Sequence, residues 1–485
     1  MSVRVLKNSL WLTMAYVFGR GASLIWQLAL ARFFNAQAET YGQLTILISF
    51  AAIFMIVTEF GLNIAAQQEY SKRELTDNEL LGTLLLLRAY MSVPIAVLFV
   101  AVIYFVYGAH QLFFAALPMS LYLLVSGQTQ GVIGIWESRQ EMKKTAALSV
   151  CQTALLILMQ IIALKFFGTL FSLTVAIALS SFVALGIALI AVMRQLGAPR
   201  LPVYCERMII LKKYFYMGMP LMLASLIFVI YNRIDVIFLS KIVNDVAAGA
   251  YAIAAMLFMG IIDLIWSQSG KALFPTLAEK WYKNLIDSNF ILKLQKFIWI
   301  LFLLLMIYFI LLLDFGEALF TLVFTADSPW RQAWMPLVVL SSGAWAVIIY
   351  SLFYRFLLLE NKRQWYMYSS LLILAIKIPL AIFLIKSYQI AGAAFSNLIC
   401  SILSMFLVLV ALGDIRRKVL TPKLYLYFLI SYLIVVFTRV FFFKNLPLLL
   451  ITHFGIIVGL VYVLTVKSDI LFWFTGTKKD ILNKC

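Results

Sequence analysis

The chain has 485 residues, of which 64% are hydrophobic and only 12% charged. That balance excludes an ordinary soluble domain, and its long continuous apolar runs exclude the short alternating segments of a β-barrel. The formal charge of +18 comes with no basic domain that could grip nucleic acid, so it is read as the Lys/Arg excess of cytoplasmic loops.

In chain order, hydropathy predicts fourteen spanning helices, at about 9–30, 43–66, 82–107, 111–136, 146–167, 169–193, 213–240, 250–268, 291–313, 331–354, 367–385, 390–412, 424–443 and 446–466. The first is too long, and too poor in small residues at its end, for a cleavable signal, so it is expected to remain as a span. The chain repeats itself. Tyr41-Gly42 is echoed by Ala250-Tyr251-Ala252, Glu141-Met142-Lys143-Lys144 by Glu360-Asn361-Lys362-Arg363, and Gly168-Thr169-Leu170-Phe171-Ser172 by Gly392-Ala393-Ala394-Phe395-Ser396. The offsets drift slowly through 210, 219 and 224, as small loop insertions after a duplication would make them. The expected fold is an all-α polytopic membrane protein with lobes at 1–197 and 213–413 and an added helix pair at 424–466. Each repeat has an even number of helices, so the copies are parallel.

With the N-terminus inside, the inner segments carry 28 Lys/Arg and the outer ones 7. This bias places both termini in the cytoplasm. The four remaining bases, Arg20, Arg88, Arg233 and Lys377, fall inside spans. Each costs roughly 3 kcal/mol at the bilayer centre, so each needs water, a partner or a function.

Arg20, between Gly19 and Gly21, lies near the middle of the first span, too deep to snorkel. Glu59 in the second span and Asp263 in the eighth occupy equivalent helices of the two copies; intramembrane carboxylates are candidates for ion coupling, or are counter-ions for the bases. Arg88 sits nearer the cytoplasmic end of the third span, where it either reaches headgroups or meets substrate. The fourth span holds Ser126-Gly127-Gln128-Thr129-Gln130-Gly131. Its glycines have the spacing of close helix packing, while the amides of Gln128 and Gln130 suit sugar hydroxyls. Arg233 and Asp235 share the seventh span but are two residues apart, so they cannot face one another and must find separate surroundings. Lys377 is followed by Pro379, which tends to kink a helix and so points to a cavity-lining element. Trp26 and Trp266 are weaker candidates for stacking on substrate.

Other chemistry is not written here. The four cysteines and two histidines have no disulfide or metal-ligand spacing. Ser269-Gly270-Lys271 resembles the end of a phosphate loop, but Ile265 stands where its glycine is required. With no nucleophile–base pair, cofactor motif or ATPase, the reading is a transporter driven by an ion gradient, the substrate's own gradient or a partner.

The stretch from Ala31 to Tyr70, with Tyr41-Gly42 and Glu59-Phe60-Gly61-Leu62, resembles the opening of the bacterial polysaccharide flippases, including those for O-antigen. Their superfamily also holds multidrug (MATE) exporters and the peptidoglycan-precursor flippase. Gly249-Ala250-Tyr251, Phe274-Pro275 and Gly392-Ala393-Ala394 resemble later family segments, so the likeness covers about 9–413. Two features depart from the family pattern: Asn35-Ala36 precede Tyr-Gly where an acidic residue and glycine are common, and Glu59 replaces Asp. The resemblance implies movement of an oligosaccharide, linked by pyrophosphate to undecaprenol, across the bacterial inner membrane by alternating access. It implies a cationic cavity between two six-helix lobes, and a polymerase and glycosyltransferases of the same pathway as partners, besides membrane lipid. The sugar-phosphate role is assigned to Arg20, Arg88, Arg233, Lys377, Gln128 and Gln130, and ion coupling to Asp235, Asp263 or Glu59. The alternative is a cation-coupled small-molecule exporter on the same fold. A membrane polymerase or ligase would carry a large external loop, and the longest here, about 314–330, is small.

Overall fold

In the computed structural model the described residues are 3–63, 66, 70, 76–201, 204–267, 288–325, 327–360 and 362–412. They are almost wholly helical: α1 (Val3–Phe33), α2 (Ala38–Glu59), α3 (Asp77–Tyr107), α4 (Gln111–Ser138), α5 (Met142–Phe166), α6 (Leu170–Leu196), α7 (Tyr204–Ile242), α8 (Asp245–Ile262), α9 (Ser288–Phe324), α10 (Trp334–Ser342), α11 (Ala344–Leu359) and α12 (Arg363–Ala411). A bilayer forces this, because a spanning segment must satisfy its backbone internally. Among the described residues nine helices are long and apolar enough to cross a membrane, and a tenth span is made by a bent pair. Phe105, Leu322 and Phe18 are 83%, 75% and 72% exposed, as befits side chains that face lipid. The chain is a multi-pass membrane protein. The predicted spans at 424–443 and 446–466 lie outside the described residues.

Sequence-level caps set several boundaries. Thr76 and Glu79 exchange hydrogen bonds in a capping box that starts α3, and Thr169 and Ser172 do the same for α6. Three breaks differ from the predicted spans. The second helix ends at Glu59, seven residues early, because Phe60 and Gly61 both take left-handed backbone (φ 49° and 67°). The eighth ends in a π turn, Asp263–Ser267. The tenth is not one rod: Pro329–Ala333 is a 3-10 turn, and α10 meets α11 at Gly343 with a 44° bend. Ser342 helps there by donating to the Val339 carbonyl, a contact that bends helices.

The last two predicted spans within the described residues form one hairpin. α12 reverses at Gln389 (φ 50°, ψ −125°), so that Lys362 Nζ donates to the Ala411 carbonyl at 2.9 Å and Trp365 Nε1 to the Leu407 carbonyl at 3.4 Å. The echo of Glu141-Met142-Lys143-Lys144 in Glu360-Asn361-Lys362-Arg363 is reproduced in contacts. Lys144 pairs with Glu141 (2.6 Å) and reaches Gln195 (2.5 Å) at the end of α6; Lys362 pairs with Glu360 (2.8 Å) and reaches the end of α12. Arg139 joins Glu141 to Asp77. Burial pushes the Glu141 carboxyl up, but hydrogen bonds from Lys144, Arg139 and Gln195 more than reverse this and hold it below the usual carboxylate range.

The helices form two compact units. One comprises Met1–Met256, Ser328–Ala333 and Leu374–Ala393; the other comprises Leu257–Asp327, Trp334–Ile373 and, among the described residues, 394–412. In the first, α4 packs on α3 and α6, α5 on α1 and α6, and α2 on α7. Phe60, Leu84, Val132, Trp136, Val192 and Tyr214 form its core. α2 and α8, equivalent helices of the two repeats, cross at their starts. A Cβ on Gly42 would overlap the Asp245 carbonyl, and one on Gly249 would come within 3.1 Å of the Gly42 Cα. Trp330 closes this crossing from the side, with its ring edge-on to Tyr41 at 5.0 Å and its Nε1 donating to the Ala31 carbonyl at 2.7 Å. In the second unit, α9 packs on α10 and α11 around Met306, Phe309, Ile310 and Leu313.

Candidate functional site

Within the first unit α7 presents two charges on different faces. Asp235 is fully buried and forms an ion pair with Lys377 of α12 at 2.9 Å. Lys377 Nζ also donates to the Tyr231 carbonyl at 2.6 Å and lies 3.8 Å from the centre of the Tyr231 ring. Tyr251 of α8 donates its hydroxyl to Asp235 Oδ2 at 3.0 Å, while Asp235 Oδ1 has no hydrogen-bond partner. Both charged side chains are 0% exposed. Lys377 therefore does not line a cavity as its proline neighbour suggested: the helix runs through Pro379 and breaks only at Gln389, and the ammonium is spent on a carboxylate.

Arg233 turns away from this pair, as helical spacing requires. It lies in the repulsive field of Arg20 from α1. Both guanidiniums are half-buried, and among the described residues no carboxylate pairs with Arg233. Two half-buried guanidiniums that feel one another's charge have the chemistry to suit a doubly charged anion, and the guanidinium fork matches phosphate oxygens.

Arg88 reaches neither headgroups nor a cavity. It is 0% exposed inside the core, donating Nη1 to the Gly127 carbonyl at 3.0 Å and Nη2 to Asn63 Oδ1 at 2.7 Å. Glu59 supplies the compensating charge nearby. The glycines of α4 make this possible: a Cβ on Gly131 would stand 3.4 Å from Arg88 Cδ. Gln128 uses its amide on α3, donating to the Leu85 carbonyl at 3.1 Å and accepting from the Ala89 amide at 3.0 Å, an orientation assigned from its neighbours. The packing reading of this helix accounts for these contacts. Gln130 lies two residues on, half-buried.

Asp263 opens the π turn after α8, a backbone irregularity that frequently marks functional sites. Trp266 is buried beneath Arg355, whose guanidinium stands 5.5 Å from its ring, and so is not offered to substrate. Trp26 donates its Nε1 to Gln160 Oε1 of α5 at 2.6 Å. Gln160, Tyr231 and Asn63 are not singled out by the sequence, and Tyr251 is marked there only by its repeat and family motifs. Gln160 could have been found from the duplication. Trp26 precedes Asp235 by 209 residues and Gln160 precedes Lys377 by 217, beside the 210 and 219 of the repeat motifs. Each repeat thus ties its first helix to its fifth at the same level.

The family model described as polysaccharide biosynthesis protein matches residues 5–281. No curated protein matches the chain. Among solved structures, the lipid II flippase MurJ in an inward closed conformation is similar over 94% of this chain and 99% of its own, with a TM-score of 0.70 at 13% identity. An inward-facing multidrug resistance MATE family transporter of the MOP superfamily matches over 86% and 99%, with a TM-score of 0.63 at 13% identity. A MOP superfamily transporter from Pyrococcus furiosus, described as having a binding pocket of reverse polarity, matches over 85% and 96%, with a TM-score of 0.57 at 14% identity. At such identities these likenesses establish the fold.

Proposed function

The chain belongs to the polysaccharide biosynthesis protein family, and on that premise we propose that it flips a lipid-linked oligosaccharide across the bacterial inner membrane. The substrate is an O-antigen-type repeat unit on undecaprenyl pyrophosphate. It passes from the cytoplasmic to the outer leaflet by alternating access of the two six-helix lobes, 1–197 and 213–413. The observation that carries this reading is the pair Arg20 and Arg233, two cations from the first helix of each repeat, close enough to repel. A pyrophosphate relieves that repulsion, and nothing in a neutral or cationic drug does.

The rival reading, a cation-coupled small-molecule exporter, needs a carboxylate open to exchange. Asp235 is closed by Lys377, a tethered cation, so it favours the flippase reading. Asp263, at the π turn, is the ion-coupling candidate that this reading keeps on the second repeat.

The test is to identify which lipid-linked saccharide accumulates on the cytoplasmic leaflet when the protein is deleted, and whether Arg20→Ala and Arg233→Ala reproduce it. Export in both variants at the parental rate, with folded protein present, would remove the cationic site. Changed drug efflux with unaltered surface polysaccharide would favour the exporter.

A further inference from the structure

Lys377 grips α7 at two points, the Tyr231 carbonyl at 2.6 Å and the Asp235 carboxylate at 2.9 Å. Those two residues are four apart, about one turn of helix, and share a face. Arg233 lies midway between them in sequence, roughly 200° around the axis from each, and so leaves the helix on the opposite face. The grip has two further parts. The ammonium lies 3.8 Å from the centre of the Tyr231 ring, and the Tyr251 hydroxyl of α8 donates to Asp235 Oδ2 at 3.0 Å. One turn of α7 is thus fastened to both α12 and α8.

The ion pair is wholly enclosed, so neither of its charges touches a ligand in this state. Its effect falls on what stands across the helix. Arg233 lies in the field of Arg20, and like charges push apart. Rolling α7 about its axis would relieve that repulsion by swinging the long Arg233 side chain aside. The grip opposes the roll, because turning the helix would pull a buried carboxylate from its buried ammonium, which is a costly separation. An anion site is only as exact as the contacts that hold its cations in place.

We propose that Asp235, Lys377 and Tyr251 are positioning residues, which set the rotation of α7 and so hold Arg233 where it and Arg20 receive one pyrophosphate. This rests on the reading of the two arginines as the anion site.

The test measures the binding of inorganic pyrophosphate to the full chain in lipid nanodiscs by calorimetry. The grip is removed as a neutral pair, Asp235→Asn with Lys377→Met, which strands no charge. It is weakened separately by Tyr251→Phe, which keeps the ion pair and takes away one hydrogen bond. The neutral pair should weaken binding about tenfold, as loss of one charge-assisted contact would, and Tyr251→Phe about threefold. Each change is then repeated beside Arg233→Ala, where it should have no further effect, because the residue being positioned is gone. Weakening by the same factor with and without Arg233 is the mark of general loosening and overturns the proposal. Parental affinity in both grip variants, with weakened binding in Arg233→Ala, removes the positioning role and leaves the anion site. Undiminished binding in both Arg20→Ala and Arg233→Ala removes the anion site, and the positioning role with it.

Discussion

The two repeats tie their first helix to their fifth with different chemistry. In the first, Trp26 and Gln160 meet through a neutral hydrogen bond of 2.6 Å. In the second, Asp235 and Lys377 meet as a fully buried ion pair of 2.9 Å, with Tyr251 on the carboxylate and Tyr231 beneath the ammonium. A neutral bond of this kind in a membrane contributes about 0.6 kcal/mol and tolerates change. A buried pair is a different object. Its net stabilisation is small, yet removing one partner strands a charge at a cost of about 3–5 kcal/mol. The duplication therefore holds one tolerant link and one all-or-none link.

The comparison is broken most forcefully by Asp235→Asn, which leaves Lys377 buried without its counter-charge. Thermal unfolding of the purified protein should show a loss of about 3–5 kcal/mol, and Asp235→Asn with Lys377→Met should recover much of it. Equal loss in single and double variants would deny that the pair acts as a unit. Next in size is the effect on transport. Arg20→Ala and Arg233→Ala should each abolish export of surface polysaccharide while the folded protein persists, and Arg20→Lys should retain more activity than Arg20→Ala, because charge survives although the fork does not. Identical defects in the alanine and lysine variants would make geometry, not charge, the requirement.

On the tolerant side, Gln160→Ala should cost only about 1 kcal/mol in the same unfolding assay. A loss as large as that of Asp235→Asn would erase the contrast. The smallest effect is expected outside the membrane, at Glu141. Its carboxyl is held below its ordinary value of 4.5, so its stabilisation is complete above the unfolded pKa and fades as pH falls through the folded one. Glu141→Gln should flatten the acid limb of the stability profile slightly, and an unchanged limb would leave the network with Arg139 and Lys144 without consequence there.

The fold was legible because hydropathy and capping are local. The apolar run at 82–107 falls within α3, whose Thr76-Glu79 cap the structure adds, and the echo of Glu141-Lys144 in Glu360-Lys362 recurs as contacts at two helix ends. The early end of α2 was less legible, since Phe60 is an unusual residue to take left-handed backbone. At the site, helical spacing alone separates Arg233 from Asp235. It could not say that Lys377, 142 residues further on, would take the carboxylate, or that Arg88 would spend its charge on Asn63 and a backbone carbonyl. Those are long-range choices made by packing. A base in a span signals its expense, not the identity of what offsets it.

The crossing at Gly42 and Gly249 has a mechanical meaning. Most helix pairs mesh ridges into grooves and must unmesh to turn. Here bare backbone rests on bare backbone, so α2 and α8 meet with no side chain between them, and the Trp330 ring packs against the side of the contact. A methyl on Gly42 would overlap the Asp245 backbone, so Gly42→Ala wedges the two helix starts apart and shows what their close approach is worth to transport.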